Sequence, residues 1–348
     1  MRSLTPLPGA ASARLLLRRG EIVGMGGLEG QGQRQIVRAL AGVLRPQHSD
    51  IVRTDRHGQA QTLLFAVLAL GAPNFLAPQN LANVNGQITA LPIITLGQLV
   101  VALIAGIDLS VGSVVSLAGC LVATQADPLS GMALALGLTV GVVNGLGVAV
   151  AGIHPLIMTL STMTFLQGLA YLVLQIPGGQ VAPALGRLAN DTLWGLPQAL
   201  LWCALCAAAV ALLLHRSRLG LHIFAVGANA RSAHLNGVRA LAVVLSAYVV
   251  CSLLAVVSGI YLAARVASGD PAMGASFGLE SVTAVALGGV QLTGGVGSVL
   301  GVVTGALSLG LINNGINLFG ISPFLRGAVT GALLLAALCA QRRQAVGL

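Results

Sequence analysis

The stretch LIAGIDLSVGSVVSLAG, residues 103–119, decides how this chain is read. Two apolar segments meet at one carboxylate, Asp108, with Gly106 and Gly112 on either side. A charged group between two long hydrophobic runs is costly in lipid. It is retained where it faces a protein interior or an aqueous path. Helices broken near such a group are a recurring device of membrane transporters.

The rest of the chain agrees with a membrane setting. Of 348 residues 56% are hydrophobic and only 8% are charged, against roughly 25% charged in soluble proteins. Mean hydropathy is +0.90. Glycine, at 46 residues, suits helices that pack by close backbone approach in lipid. The fold class expected is all-α and polytopic. Ten candidate spans lie near 62–76, 88–106, 109–126, 131–152, 155–176, 197–214, 241–264, 277–292, 297–319 and 323–340. The first, TLLFAVLALGAPNFL, is short for a crossing that needs about 20 residues.

Net charge is +9 and all 18 basic residues are arginine, nine of them in the first 56 positions. They flank apolar runs, which fits the positive-inside rule and not nucleic-acid binding. The N-terminus, the break HRSRLGLHIFAVGANARSAHLNGVRA (215–240) and the C-terminus, with Arg342 and Arg343, are expected in the cytoplasm. An even number of spans satisfies all three. No cleavable signal peptide is visible. Cys203 and Cys206 form a CxxC-like pair inside LLWCALCAAAV, where packing explains them better than a metal. No metal site is expected.

The ordered motifs resemble the permeases of ribose-type ATP-binding-cassette (ABC) importers. GIDLSVGSVVSLAG (106–119), NFLAPQNLANV (74–84), RLGLHIFAVGANARSAHLNGV (218–238) and the long run from Gly278 to Ser322 carry the resemblance. It covers roughly residues 62 to 343. It implies an inner-membrane, multi-pass subunit for a monosaccharide of the pentose or hexose class. The implied partners are a sugar-type ATPase, a second permease copy or homologue, and a periplasmic or extracellular sugar-binding protein. No cofactor is implied in this chain, because ATP and Mg²⁺ are used by the ATPase. Val296 departs from the pattern, which usually has Lys or Arg there.

Residues 1–56 differ. RRGEIVGMGGLEGQGQRQIVRALAGVLRP (18–46) resembles the second nucleotide-binding domain of the partner ATPase. The phosphate-loop pattern maps to Gly27 and Gly32, followed by Gln33 and Arg34. No lysine reaches the phosphates and no Ser or Thr holds Mg²⁺. About 50 residues bury little core. The segment is therefore expected to be a truncated, inactive P-loop fragment, with the permease domain at 57–348. A decayed fusion of adjacent ATPase and permease genes is the competing reading of the whole chain. An ATP-independent secondary transporter is another, but it needs paired intramembrane charges, and this chain has few.

Within the permease region the resemblance marks Gly227, Asn229, Arg231, His234, Asn236 and Gly237 as a cytoplasmic segment that couples to the ATPase. An ordinary basic loop is the plainer alternative. Candidates for the translocation path are Asp108, Ser110, Thr159, Ser161, Glu280, Asn313, Asn314 and Asn317. Each has a structural alternative: Asp108 as a helix-capping group, the Ser and Thr hydroxyls bonded to their own helix, and the asparagines bonded between helices.

Overall fold

The computed structural model describes residues 80, 86, 88–124, 131–193, 196–320 and 324–340. The P-loop-like stretch with Gly27, Gly32, Gln33 and Arg34, and the expected first span at 62–76, lie outside the described residues. Among the described residues the regular elements are helices, apart from one hairpin of two two-residue strands. In chain order the helices are α1 (Ala90–Leu103), α2 (Val111–Thr124), α3 (Met132–Ala149), α4 (Pro155–Val173), α5 (Pro183–Asn190), α6 (Gln198–Arg216), α7 (Arg218–Ala228), α8 (Ala230–Leu235), α9 (Ala240–Val266), α10 (Phe277–Leu287), α11 (Val299–Leu318) and α12 (Phe324–Ala340). Strands β1 (Thr192–Leu193) and β2 (Leu196–Pro197) pair antiparallel between α5 and α6.

Five helices, α3, α4, α6, α9 and α11, are long and apolar enough to cross a membrane. Helices α1, α2 and α10 are shorter than the stretches expected for them. The 14 residues of α1 rise roughly 21 Å at 1.5 Å each, less than the ~30 Å of hydrocarbon. Length is not what keeps α1 from water. All 14 of its residues are buried, the behaviour of a helix apolar on every side.

The long helix α9 organises the packing, lying against α1, α2, α3 and α5. Its contact with α3 follows from sequence. Gly137, Gly141 and Gly145 recur every four residues and so share one face of α3. A Cβ on Gly141 would sit 2.5 Å from the Val249 Cα, one on Gly145 would meet the Leu245 Cα at 2.9 Å, and one on Gly137 would meet the Ser252 carbonyl at 3.2 Å. Only hydrogen at these positions lets the backbones meet, and close contact is what holds helices together when both sit in lipid. Further along α9, the Ser258 hydroxyl donates to the Ala90 carbonyl at 3.1 Å and the Tyr261 hydroxyl to the Gly86 carbonyl at 2.8 Å.

Two hydrophilic breaks between spans carry helices, the second where one short coupling helix is expected. In 177–197, α5 forms behind Pro183 at its first turn and buries Leu185 and Ala189. In 215–240 the chain makes two helices, α7 and α8, in place of one. Ser217 caps α7, accepting from the Gly220 N–H at 3.0 Å.

Gly141→Ala is expected to destabilise the protein by about 1–3 kcal/mol, because it overpacks a backbone contact. Gly331→Ala on α12, whose Cβ meets nothing within 4 Å, is expected to leave stability unchanged or raised. Thermal unfolding of the two variants in detergent, followed by size-exclusion fluorescence, checks the difference.

Candidate functional site

Helix α1 ends at Leu103 and the chain turns through Ala105, at φ 61°, into the Asp108 loop. The Gly106 N–H bonds back to the Val101 carbonyl at 3.0 Å, closing a left-handed helix terminus of the kind glycine usually makes. Asp108 is wholly buried. Its Oδ1 accepts from the Ser110 N–H at 2.9 Å and from the Ser110 hydroxyl at 2.6 Å, an Asx turn that steers the chain into α2. The Cys251 thiol of α9 lies close enough to the carboxylate to interact with it.

The network continues outward. Asn144 on α3 donates through Nδ2 to the Ser110 hydroxyl at 2.9 Å, and its Oδ1 accepts from the Thr162 hydroxyl of α4 at 2.6 Å. Thr159, one turn earlier on α4, bonds its own helix at Pro155 O, 2.9 Å, and reaches the Ile107 carbonyl at 3.3 Å. The Asp108 loop thus ties α2, α3, α4 and α9 at one buried node. Such a node is strong when each member is satisfied. Asn144 and Cys251 were not singled out from sequence as site residues; Thr162 was, beside Thr159 and Ser161, as a hydroxyl facing the path. Asn144 carried a signal, being the only amide side chain within the α3 span.

The other path candidates scatter. Ser161 is exposed and donates to the Ile157 carbonyl of its own helix at 2.9 Å. Glu280 is buried in the first turn of α10. Asn313 and Asn314 are buried on α11, while Asn317 is exposed. Asn314 exchanges amide hydrogen bonds with Asn80 at 3.2 and 3.4 Å. Interhelical bonding therefore accounts for Asn314, and own-helix bonding for Ser161.

The residues expected to couple to an ATPase lie together. Asn229 caps α8, its Oδ1 accepting from the Ser232 N–H at 2.8 Å. Asn236 closes the helix by donating to the Ser232 carbonyl at 2.8 Å, and Gly237 follows at φ 82°. Arg231, His234 and Asn236 are exposed, and Leu235 is 79% exposed. Of α8 only Ala233 is buried. Gly227, at the end of α7, points inward instead. A Cβ there would collide with the Leu103 carbonyl oxygen and lie 2.6 Å from the Gly295 nitrogen. The Gly295 N–H in turn donates to that same carbonyl at 2.9 Å. The last turn of α7, the end of α1 and the glycine loop between α10 and α11 therefore meet at one point, five residues before Asp108.

Beside the node, Leu109 of the Asp108 loop, α2, α4 and the start of α10 border a cavity of about 380 Å³.

Residues 80–338 match the family described as branched-chain amino acid transport system / permease component. The ribose import permease protein RbsC of Escherichia coli is 33% identical over 298 residues, 82% of this chain and 92% of its own length. RbsC of Bacillus subtilis is 32% identical, covering 81% of this chain and 90% of its own. The L-arabinose transport system permease protein AraH of Escherichia coli is 33% identical, covering 80% and 88%. No solved structure matches.

Asn144→Ala removes the link between Ser110 and Thr162. Buried hydrogen bonds and those between membrane helices bracket the expected loss at about 1–2 kcal/mol. It reads as a lower unfolding midpoint in detergent, with Ser161→Ala at the wild-type value.

Proposed function

Since the chain belongs to the family of ABC-importer permease components, we propose that it is the membrane subunit of a monosaccharide importer, with α7 and α8 as the element through which a partner ATPase drives it. The named relatives are permeases for ribose and L-arabinose, which supports a sugar of that class. The subunit is not itself catalytic. ATP is hydrolysed by the partner, and an external binding protein captures and delivers the sugar. Two permease copies, or this chain and a homologue, enclose the path. Ten spans, with N- and C-termini and the α7–α8 pair in the cytoplasm, satisfy the arginine distribution.

The observation that carries this reading is the inward face of α7. Helix α8 offers Arg231, His234 and Leu235 to a partner, while Gly227 seats the preceding helix directly on the Leu103 carbonyl. A push on α8 passes along α7 to the end of α1 without a flexible side chain between. Four residues beyond Gly106 the chain is anchored by the Ser110–Asn144 bond to α3. Movement of α1 relative to that anchor is the expected form of the switch from outward to inward access, one packed body rocking against another.

Purification from native membranes through a C-terminal tag tests the partnership, and recovery of a sugar-type ABC ATPase is the expected result. A stable membrane protein without any ATPase, under conditions that keep a control importer whole, counts against it. Arg231→Glu is expected to lower uptake while the protein stays at its normal level in the membrane. Gly227→Ala is expected to keep the ATPase bound yet uncouple ATP hydrolysis from uptake. Normal uptake by both variants would remove the assignment of α7 and α8.

A further inference from the structure

Helix α4 has two kinds of exposed surface. One is apolar, with Phe165 at 66% and Leu172 at 79% exposure, and suits lipid. The other carries Thr164, Gln167, Gly168 and Tyr171, spaced three and four residues apart so that they share a face. These four, with Ser113 of α2 and Met163, line the cavity of about 380 Å³. Polar side chains on a span point to protein or to water, not to hydrocarbon.

The polar groups are held in place. The Ser113 hydroxyl donates to Gln167 Oε1 at 3.3 Å, and Gln167 Nε2 donates to the Pro271 carbonyl at 2.7 Å. A glutamine amide has two donors and two lone pairs, so one of each remains for a ligand while the amide plane is fixed. Tyr171 adds an aromatic face with a hydroxyl at its tip. The volume lies at the low end of the roughly 300–1,000 Å³ of small-molecule pockets, suiting one sugar ring.

We propose that this cavity, and not the Asp108 node, is where the permease holds its monosaccharide in transit. Gln167 and Ser113 meet the sugar hydroxyls, and the Tyr171 ring covers a C–H face; the Thr164 hydroxyl is engaged with the Leu160 carbonyl of its own helix at 3.0 Å. The proposal rests on the sugar-permease reading above and names the wall that this chain contributes to a path enclosed by two copies.

Gly168 makes the test clean, because a Cβ added there meets no atom within 4 Å. Bulk at that position enters the cavity without displacing packed neighbours. The complete importer, with its ATPase and binding protein, is reconstituted in proteoliposomes and supplied with radiolabelled ribose or arabinose. A wild type that carries neither sugar overturns the sugar reading itself, before any variant is measured. With uptake established, Gly168→Ala is expected to transport normally and Gly168→Trp to be blocked. Gln167→Leu is expected to lose about tenfold in uptake, the loss of roughly one hydrogen bond. ATP hydrolysis stimulated by the binding protein should persist in Gln167→Leu. Wild-type uptake by Gly168→Trp and Gln167→Leu overturns the proposal.

Thiol labelling gives a second measurement that does not depend on sugar uptake by a bulky variant. In Gly168→Cys, a water-soluble, membrane-impermeant maleimide is expected to label position 168, located by peptide mass mapping, and saturating ribose to slow the labelling several-fold. Labelling by a lipid-soluble maleimide alone places the face in the bilayer and overturns the proposal. Oxidative cross-linking of two copies through Gly168→Cys that saturating ribose does not slow places position 168 in a packed subunit contact and not in the path, with the same consequence.

Discussion

A helix that stops inside a membrane leaves backbone groups that no water can reach, and each unsatisfied group costs several kcal/mol there. The interruption between α1 and α2 is built around that constraint. The Leu103 carbonyl, left over at the end of α1, takes its hydrogen bond from Gly295 in a loop almost two hundred residues away. The Ser110 N–H, at the start of α2, takes its partner from Asp108. The carboxylate is then settled by Ser110 and Cys251, Ser110 by Asn144, and Asn144 by Thr162. One local need for partners thus draws α3, α4, α9 and the α10–α11 loop to a common place.

Around this node the helices meet through small residues. Gly97 of α1 comes against the Cys251 backbone of α9, Gly259 of α9 against the Val115 carbonyl of α2, and Gly141 of α3 against Val249. Burial of apolar surface does not distinguish one helix partner from another in lipid, where the surroundings are as apolar as leucine. Dispersion between closely fitted backbones does. It also explains how a chain with few aromatic residues holds together: no large side chains are needed to fill space that the backbones already occupy. The exposed leucines and valines of α3, α4 and α6, which would be a liability in water, are the natural complement of such a core in a bilayer.

The membrane class and most helix positions were legible in the sequence, because long apolar runs bounded by arginine, glycine and proline leave little choice. The ends of α1 and α10 were less so. Hydropathy continues across Ile104 and across Gly288, while the backbone turns at both, and only the pairing of distant carbonyls and amides decides where. Helix α5 escaped notice because its amphipathic pattern spans two turns. The site was read in part. Asp108 stood out as a lone carboxylate, but the residues linked to it through Ser110 and beside it, Asn144, Thr162 and Cys251, come from three other helices, and contact between helices has no local signature. Gly227 was marked by the resemblance as part of the coupling segment, but nothing in the sequence showed that it packs inward. Its meaning lies in the Leu103 carbonyl opposite. Gln167 and Tyr171 passed as ordinary span residues, since a polar face on a helix gains significance only when a cavity lies beside it.

The slender construction of α8 has a thermodynamic corollary. The helix has six residues, one buried side chain and two asparagines at its ends. A helix this short has little stability of its own. It therefore lies at the low end of the range of local opening free energies within the molecule. A partner that binds only the ordered form supplies part of the free energy that keeps it ordered. On the coupling role proposed for α8, docking and stiffening become one linked equilibrium: the segment would transmit displacement well when engaged and poorly when alone. A permease that has not yet met its ATPase would then be mechanically disengaged at α8, while the glycine-packed core behind Gly227 keeps its form.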